Sequence, residues 1–166
     1  MMKLIPSTDP ILKQVAEPWD FEKNLDAKEL EVDMVQLMIE SNGIGLAANQ
    51  VGILKRVFAI RLKDQVPFCM FNPHIVQSDE DTELAEEGCL SFPNLWIKVA
   101  RSKSITAGYL DRHGNNCIIE LTGIDARCFL HELDHLNGVC FTDIISPLKL
   151  AMAIKKQRKH NGRTKR

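Results

Sequence analysis

The chain has 166 residues, 45% hydrophobic and 26% charged, which is enough apolar material for one sizeable core and excludes a disordered protein. Its net charge of −1 hides a split: residues 155–166 hold seven Lys and Arg and no acid, so the first 154 residues set 14 basic groups against all 22 acidic ones, a balance of −8. The longest uncharged runs, such as Val66 to Ser78, fall far short of the roughly 20 apolar residues that span a bilayer, and MMKLIPSTDP has no apolar secretory core. A cytoplasmic protein is expected, and the basic tail either binds nucleic acid or stays solvated.

In chain order, Asp26 followed by Glu29 is a capping-box spacing, and Leu30, Met34, Leu37 and Met38 then recur at helical intervals up to Asn42 and Gly43. An amphipathic helix is predicted there. The glycine-rich GIGLAANQVG leads into two apolar strands, VFAIR and PFCMFNPHIV. SKSITAGYL and NNCIIEL flank DRHGN, which predicts a β-hairpin turning at Gly114. From Thr122 the period returns to helical in TGIDARCFLHELDHLNG, with a Thr122/Asp125 cap signal and a stop at Gly138. Ser146 and Pro147 open a third helix, which runs into the basic tail. This order predicts an α+β fold, with small antiparallel sheets packed around a central helix and further helices toward the N- and C-termini.

The sharpest chemical signal is HELDH, residues 131–135 of the central helix. One helical turn separates His131 from His135, so both imidazoles face one metal ion, while Glu132 between them reaches a water rather than the ion. The plain alternative is a partly buried polar patch. Downstream ligands fail: the metzincin pattern would need a histidine where Phe141 stands, and Asp143 is the only acid after His135. The third ligand must then lie upstream. Among Cys69, Cys89, Cys117, Cys128 and Cys140, Cys89 is the best candidate, set in EEGCLSFP, where Gly88 permits close backbone approach; the other four read as core. In GIGLAANQ, spaced glycines leave extended backbone open to a ligand, and the Gln50 amide offers a donor.

GIGLAANQ, EEGCLS and HELDH, in this order and spacing, resemble the three signature motifs of peptide deformylases, and FNPHI and HLNGVCF extend the likeness. Those enzymes remove the N-formyl group from the initiator methionine of nascent chains. The resemblance implies one catalytic domain over residues 1–154 with a basic tail over 155–166. It implies that Cys89, His131 and His135 bind Fe2+, with Zn2+ or Ni2+ able to substitute, and that Glu132 moves protons as general base and then general acid. Gln50 and the Leu90 N–H would stabilise the oxyanion. Ile44, Gly45 and Gly88 would bind peptide backbone, and Cys128 would help line the methionine pocket. Glu87 and Arg101 would form an ion pair that orients the cysteine loop, whereas Trp96 stands where many bacterial members carry arginine. The basic C-terminal segment resembles the helix by which bacterial members dock on the ribosome. A monomer is expected, with formylmethionyl nascent peptides and the ribosome as partners, and neither membrane nor DNA. Two rivals share some of these residues: a zincin-type endopeptidase with no need of Cys89, and a non-catalytic RNA-binding protein with a structural metal.

Overall fold

A computed structural model of the protein describes residues 2–23 and 26–163, so residues 164–166, the end of the expected basic tail, lie outside the described part. Helix α1 (Ala27–Glu40) begins where the Asp26–Glu29 spacing predicts. The Asp26 carboxylate accepts from the Lys28 and Glu29 amides at 2.8 and 3.4 Å, satisfying donors that the first turn leaves without an intrahelical partner. Leu30, Met34 and Met38 form its buried stripe.

Strand β1 (Gly45–Ala47) leads through a short 3-10 helix (Ala48–Val51) to β2 (Val57–Ile60) and β3 (Phe68–Ser78). Strands β4 (Thr82–Cys89) and β5 (Phe92–Ser102) follow, then β6 (Ser104–Leu110) and β7 (Asn116–Thr122). One antiparallel sheet runs in the order β1-β2-β3-β6-β7, and β4 pairs with β5 as a separate two-stranded sheet. The predicted β6–β7 hairpin turns at Gly114, with φ of 81°.

Every residue of β2 is buried, because helices cover both faces of the large sheet. Val57 and Ala59 pack with α1, while Phe58 and Ile60 pack with Phe129, Leu133 and Leu136 of α2 (Gly123–Leu136). Phe58 and Phe129 meet edge to face at 5.3 Å between ring centres. Thr122 stands at the N-cap of α2 as predicted, yet its side chain makes no capping bond. Asp125 is engaged elsewhere, accepting from the Lys63 amide at 3.2 Å.

Helix α3 (Pro147–Arg163) continues without a break through Lys155, Lys156, Arg158 and Lys159, all exposed. Its Leu150, Ala153 and Ile154 pack with Leu95, Ile97 and Val99 of β5 and with Phe141. No helix among the described residues is long and apolar enough to cross a membrane.

The β4–β5 hairpin has no counterpart among the predicted strands. Its first strand, TELAEEGC, is charged and half exposed, so no apolar alternation marks it. The second does carry a period-two signal, with Leu95, Ile97 and Val99 buried and Trp96 and Lys98 exposed.

Candidate active site

The cleft lies between the two sheets. A cavity of about 740 Å³ opens between Gly43–Gly45 on one side and Glu86–Leu90 on the other, floored by α2. Of the ten predicted site residues, nine line it; His135, one turn further along α2, sits behind Cys89.

Three donors converge at its inner end. The Cys89 sulfur and one ring nitrogen each of His131 and His135 lie within 4.8 Å of one another, the sole such group among the described residues. His135 Nε2 faces Cys89 Sγ at 3.2 Å. A thiolate with two imidazoles, mutually spaced for a single ion, is a donor set that suits Fe2+, Zn2+ or Ni2+. The surroundings favour positive charge: burial alone would strip His131 of its proton, but hydrogen bonds with Cys89 and Glu87 hold its pKa up at about 10. The field that retains a proton there also attracts a cation. Burial drives His135 the other way, well below the ordinary histidine value, so its ring is neutral, the form in which an imidazole can bind a metal.

Glu87 anchors this arrangement from behind. Its two carboxylate oxygens accept from Arg101 Nε at 2.9 Å and Nη2 at 3.1 Å, from Arg127 Nη1 at 2.9 Å, and from His131 Nδ1 at 2.9 Å. Burial works against its charge, yet the hydrogen bonds from His131 and Arg101 bring the pKa down to about 2. The Nδ1 bond fixes the orientation of the His131 ring and turns Nε2 toward Cys89. Arg101 extends the chain to Asp134 on α2. Sequence reasoning placed Glu87 and Arg101 together but missed Arg127. That guanidinium also donates to the Val99 and Glu83 carbonyls, at 2.8 and 2.7 Å, so it ties α2 to both strands of the cysteine hairpin. Its signal was its position one helical turn before His131.

Glu132 lies beside the donors on the opposite side. It is fully buried, and burial lifts its pKa to about 7, with His131 opposing and Glu87 adding to the rise. Its Oε2 has no hydrogen-bond partner among the described atoms. The carboxyl fits only because residue 45 is glycine: a Cβ there would stand 2.3 Å from Glu132 Oε1. An orphaned carboxylate oxygen next to a Cys/His/His cluster is what a site for an ion and its reacting water requires.

Gln50 is held at both ends of its amide. Oε1 accepts from the Ala47 N–H at 2.8 Å, and Nε2 donates to Ser91 Oγ at 3.0 Å and toward Cys89 Sγ at 3.5 Å. Ser91, absent from the sequence expectation, is therefore what sets the amide's direction. On the far side of the cleft, the Cys128 thiol donates to the Ile44 carbonyl at 3.4 Å. Leu90 occupies the β4–β5 turn, and its side chain would collide with any Cβ at Gly43, at 2.8 Å. Of the four cysteines expected in the core, Cys69, Cys128 and Cys140 are buried; Cys117, half-buried on β7, is not.

A family model for polypeptide deformylases matches residues 1–151. The chain belongs to the polypeptide deformylase family. Members of this family are metal-dependent hydrolases that remove the N-formyl group from nascent peptides. Similar proteins include a peptide deformylase of Rhizobium meliloti, 41% identical over 92% of this chain and 90% of the relative. One from Thermotoga maritima is 44% identical over 89% of each. Among solved structures, the Legionella pneumophila peptide deformylase superposes with a TM-score of 0.87 at 35% identity, covering all of this chain and 98% of the other. The α+β fold expected from the sequence is thus that of the family.

Proposed function

We propose that this deformylase hydrolyses the formyl amide of formylmethionyl nascent peptides with the residues gathered around Cys89, His131 and His135. The observation that carries the reading is the buried, partnerless Glu132 oxygen beside those three donors. These three side chains hold a divalent cation, Fe2+ by the family resemblance with Zn2+ or Ni2+ able to replace it, which supplies Lewis-acid polarisation of water and of the formyl carbonyl. Glu132 takes a proton from the attacking water as its oxygen bonds to the formyl carbon. The same carboxyl passes a proton to the amide nitrogen as the C–N bond breaks, so that formate and the free methionyl amine leave.

Gln50 Nε2, within 3.5 Å of the Cys89 sulfur, donates to the oxyanion forming on the carbonyl, together with the Leu90 N–H. Gly45 and Gly88, on strands facing each other across the cleft, admit the peptide as an added extended strand, with Ile44 between cleft and pocket. The methionine side chain enters the apolar pocket beside Cys128 and His131. Glu87, held by Arg101 and Arg127, orients His131.

Primary-amine release from formyl-Met-Ala-Ser tests this against a Glu132→Gln variant at equal metal content. Release by the native protein alone supports the reading; equal release by both would remove Glu132 from its proton-transfer role. We also propose that the enzyme works in the cytoplasm as a monomer and docks on the ribosome through α3. The exposed Lys155, Lys156, Arg158 and Lys159 suit a polyanion. Co-sedimentation with ribosomes at rising salt, with and without residues 155–166, tests the docking, and undiminished binding by the truncated chain would discard it.

A further inference from the structure

One large apolar side chain on the rim has no part in this chemistry. Trp96 is 59% exposed, although it lines the catalytic cavity. The alternation of β5 turns Leu95 and Ile97 inward and sends the indole to the outer face of the hairpin. It does not stand free in solvent there. The far edge of its six-membered ring lies over Gly88, where a Cβ would meet Cη2 and Cζ3 at 3.1 Å. The ring therefore reaches from β5 across β4 toward the cleft, and residue 88 must be small for it to lie flat.

We infer that Trp96 selects substrates by the residue following the formylmethionine, favouring an aromatic or long apolar side chain there. The inference rests on the deformylase reading above, which lays the peptide as an extended strand against Gly88. Side chains of an extended strand alternate in direction. The methionine side chain points inward, to the face of the hairpin that carries Glu87, and the second side chain then points outward, to the face that carries Trp96. The charges named on that outer face are few and engage one another: Glu86 lies opposite Lys98 across the hairpin and has Lys156 of α3 at 4.0 Å, one acid between two cations. The indole is thus the dominant recognition element presented to the second residue. A phenylalanine laid on it in place of a methyl group is worth about a tenfold preference. The contact forms on binding and persists through reaction, so the preference resides in KM rather than kcat.

The test compares formyl-Met-Phe-Ser, formyl-Met-Lys-Ser and formyl-Met-Ala-Ser with native protein and with Trp96→Ala, Trp96→Phe and Trp96→Arg variants, all at equal metal loading. The native protein is expected to prefer the Phe peptide over the Ala peptide by about tenfold in kcat/KM, carried by KM. Trp96→Ala and Trp96→Arg should cut the ratio to about twofold or less, and Trp96→Phe should restore most of it. The same Phe-to-Ala ratio in native protein and Trp96→Ala would overturn the inference, as would a native preference for Lys over Phe. If the metal-loaded native protein deformylates none of the three peptides, the deformylase reading fails first; turnover with an unchanged ratio removes only the role of Trp96.

Discussion

Gly45→Ala tests how closely β1 and α2 are fitted around the Glu132 carboxyl, the proton carrier in the proposed reaction. The added methyl carbon would lie 2.3 Å from Glu132 Oε1, 2.7 Å from Cδ and 2.8 Å from Cγ, where ordinary contacts begin near 3.4 Å. The carboxyl must therefore retreat by about 1 Å. It cannot swing into solvent, since Glu132 is only 4% exposed. A displacement of about 1 Å at a reacting group costs on the order of 100-fold in rate. Forcing one extra carbon into a packed site costs about 1–3 kcal/mol of stability, a fall in melting temperature of roughly 2–12 °C for a chain of this size. At Gly88 the same methyl meets only the exposed Trp96 ring, at 3.1 Å, which yields by a few tenths of an ångström, so Gly88→Ala should cost less stability. The assay is kcat for formyl-Met-Ala-Ser with metal content matched to the native protein, alongside a melting curve. A folded Gly45→Ala protein that keeps kcat within threefold of native would refute the reasoning.

Three further outcomes are expected. Arg127→Met leaves Glu87 short of a buried partner and frees two strand carbonyls, so urea unfolding should show a loss of about 3–5 kcal/mol, and chelator competition a 10–100-fold weaker hold on metal. Phe129→Ala removes a ring packed between α2 and Phe58 and should destabilise by about 3–5 kcal/mol in the same unfolding assay. Tyr109 is the chain's single tyrosine, and burial, helped by the Cys117 thiol beside it, raises its pKa to about 12. Its ultraviolet titration should show a midpoint near 12 in the folded protein and near 10 in denaturant. Because the folded value is the raised one, the associated stability is complete below pH 10 and is lost as pH climbs toward 12.

The helices were legible because each announces itself locally. Asp26 caps α1, an apolar stripe at helical spacing follows, and Gly138, with φ of 73°, marks the stop after α2. The HELDH spacing alone aligned two imidazoles, and elimination of downstream ligands pointed to Cys89. What stayed hidden depends on contacts across long stretches of chain. Arg127 reads as an ordinary helix-former until β4 and β5 bring their carbonyls to it. Ser91 acquires its role only once the short helix after β1 presents the Gln50 amide. Strand β4 escaped because its inward face carries Glu87, a charged residue whose burial is compensated by Arg101, Arg127 and His131, and pattern reading assigns such residues to the surface.

The separation of the molecule into two sheets has a consequence for solubility. A cleft that accepts an extended chain needs unpaired strand edges, and an open edge is also a template on which other chains aggregate. Here β1 is only three residues long, and it faces β4 across a gap floored by α2 and rimmed by Trp96. Two unpaired edges are thus turned toward each other, and an incoming edge must be narrow and single to enter. Geometry that would admit one extended peptide would also keep out a second folded sheet.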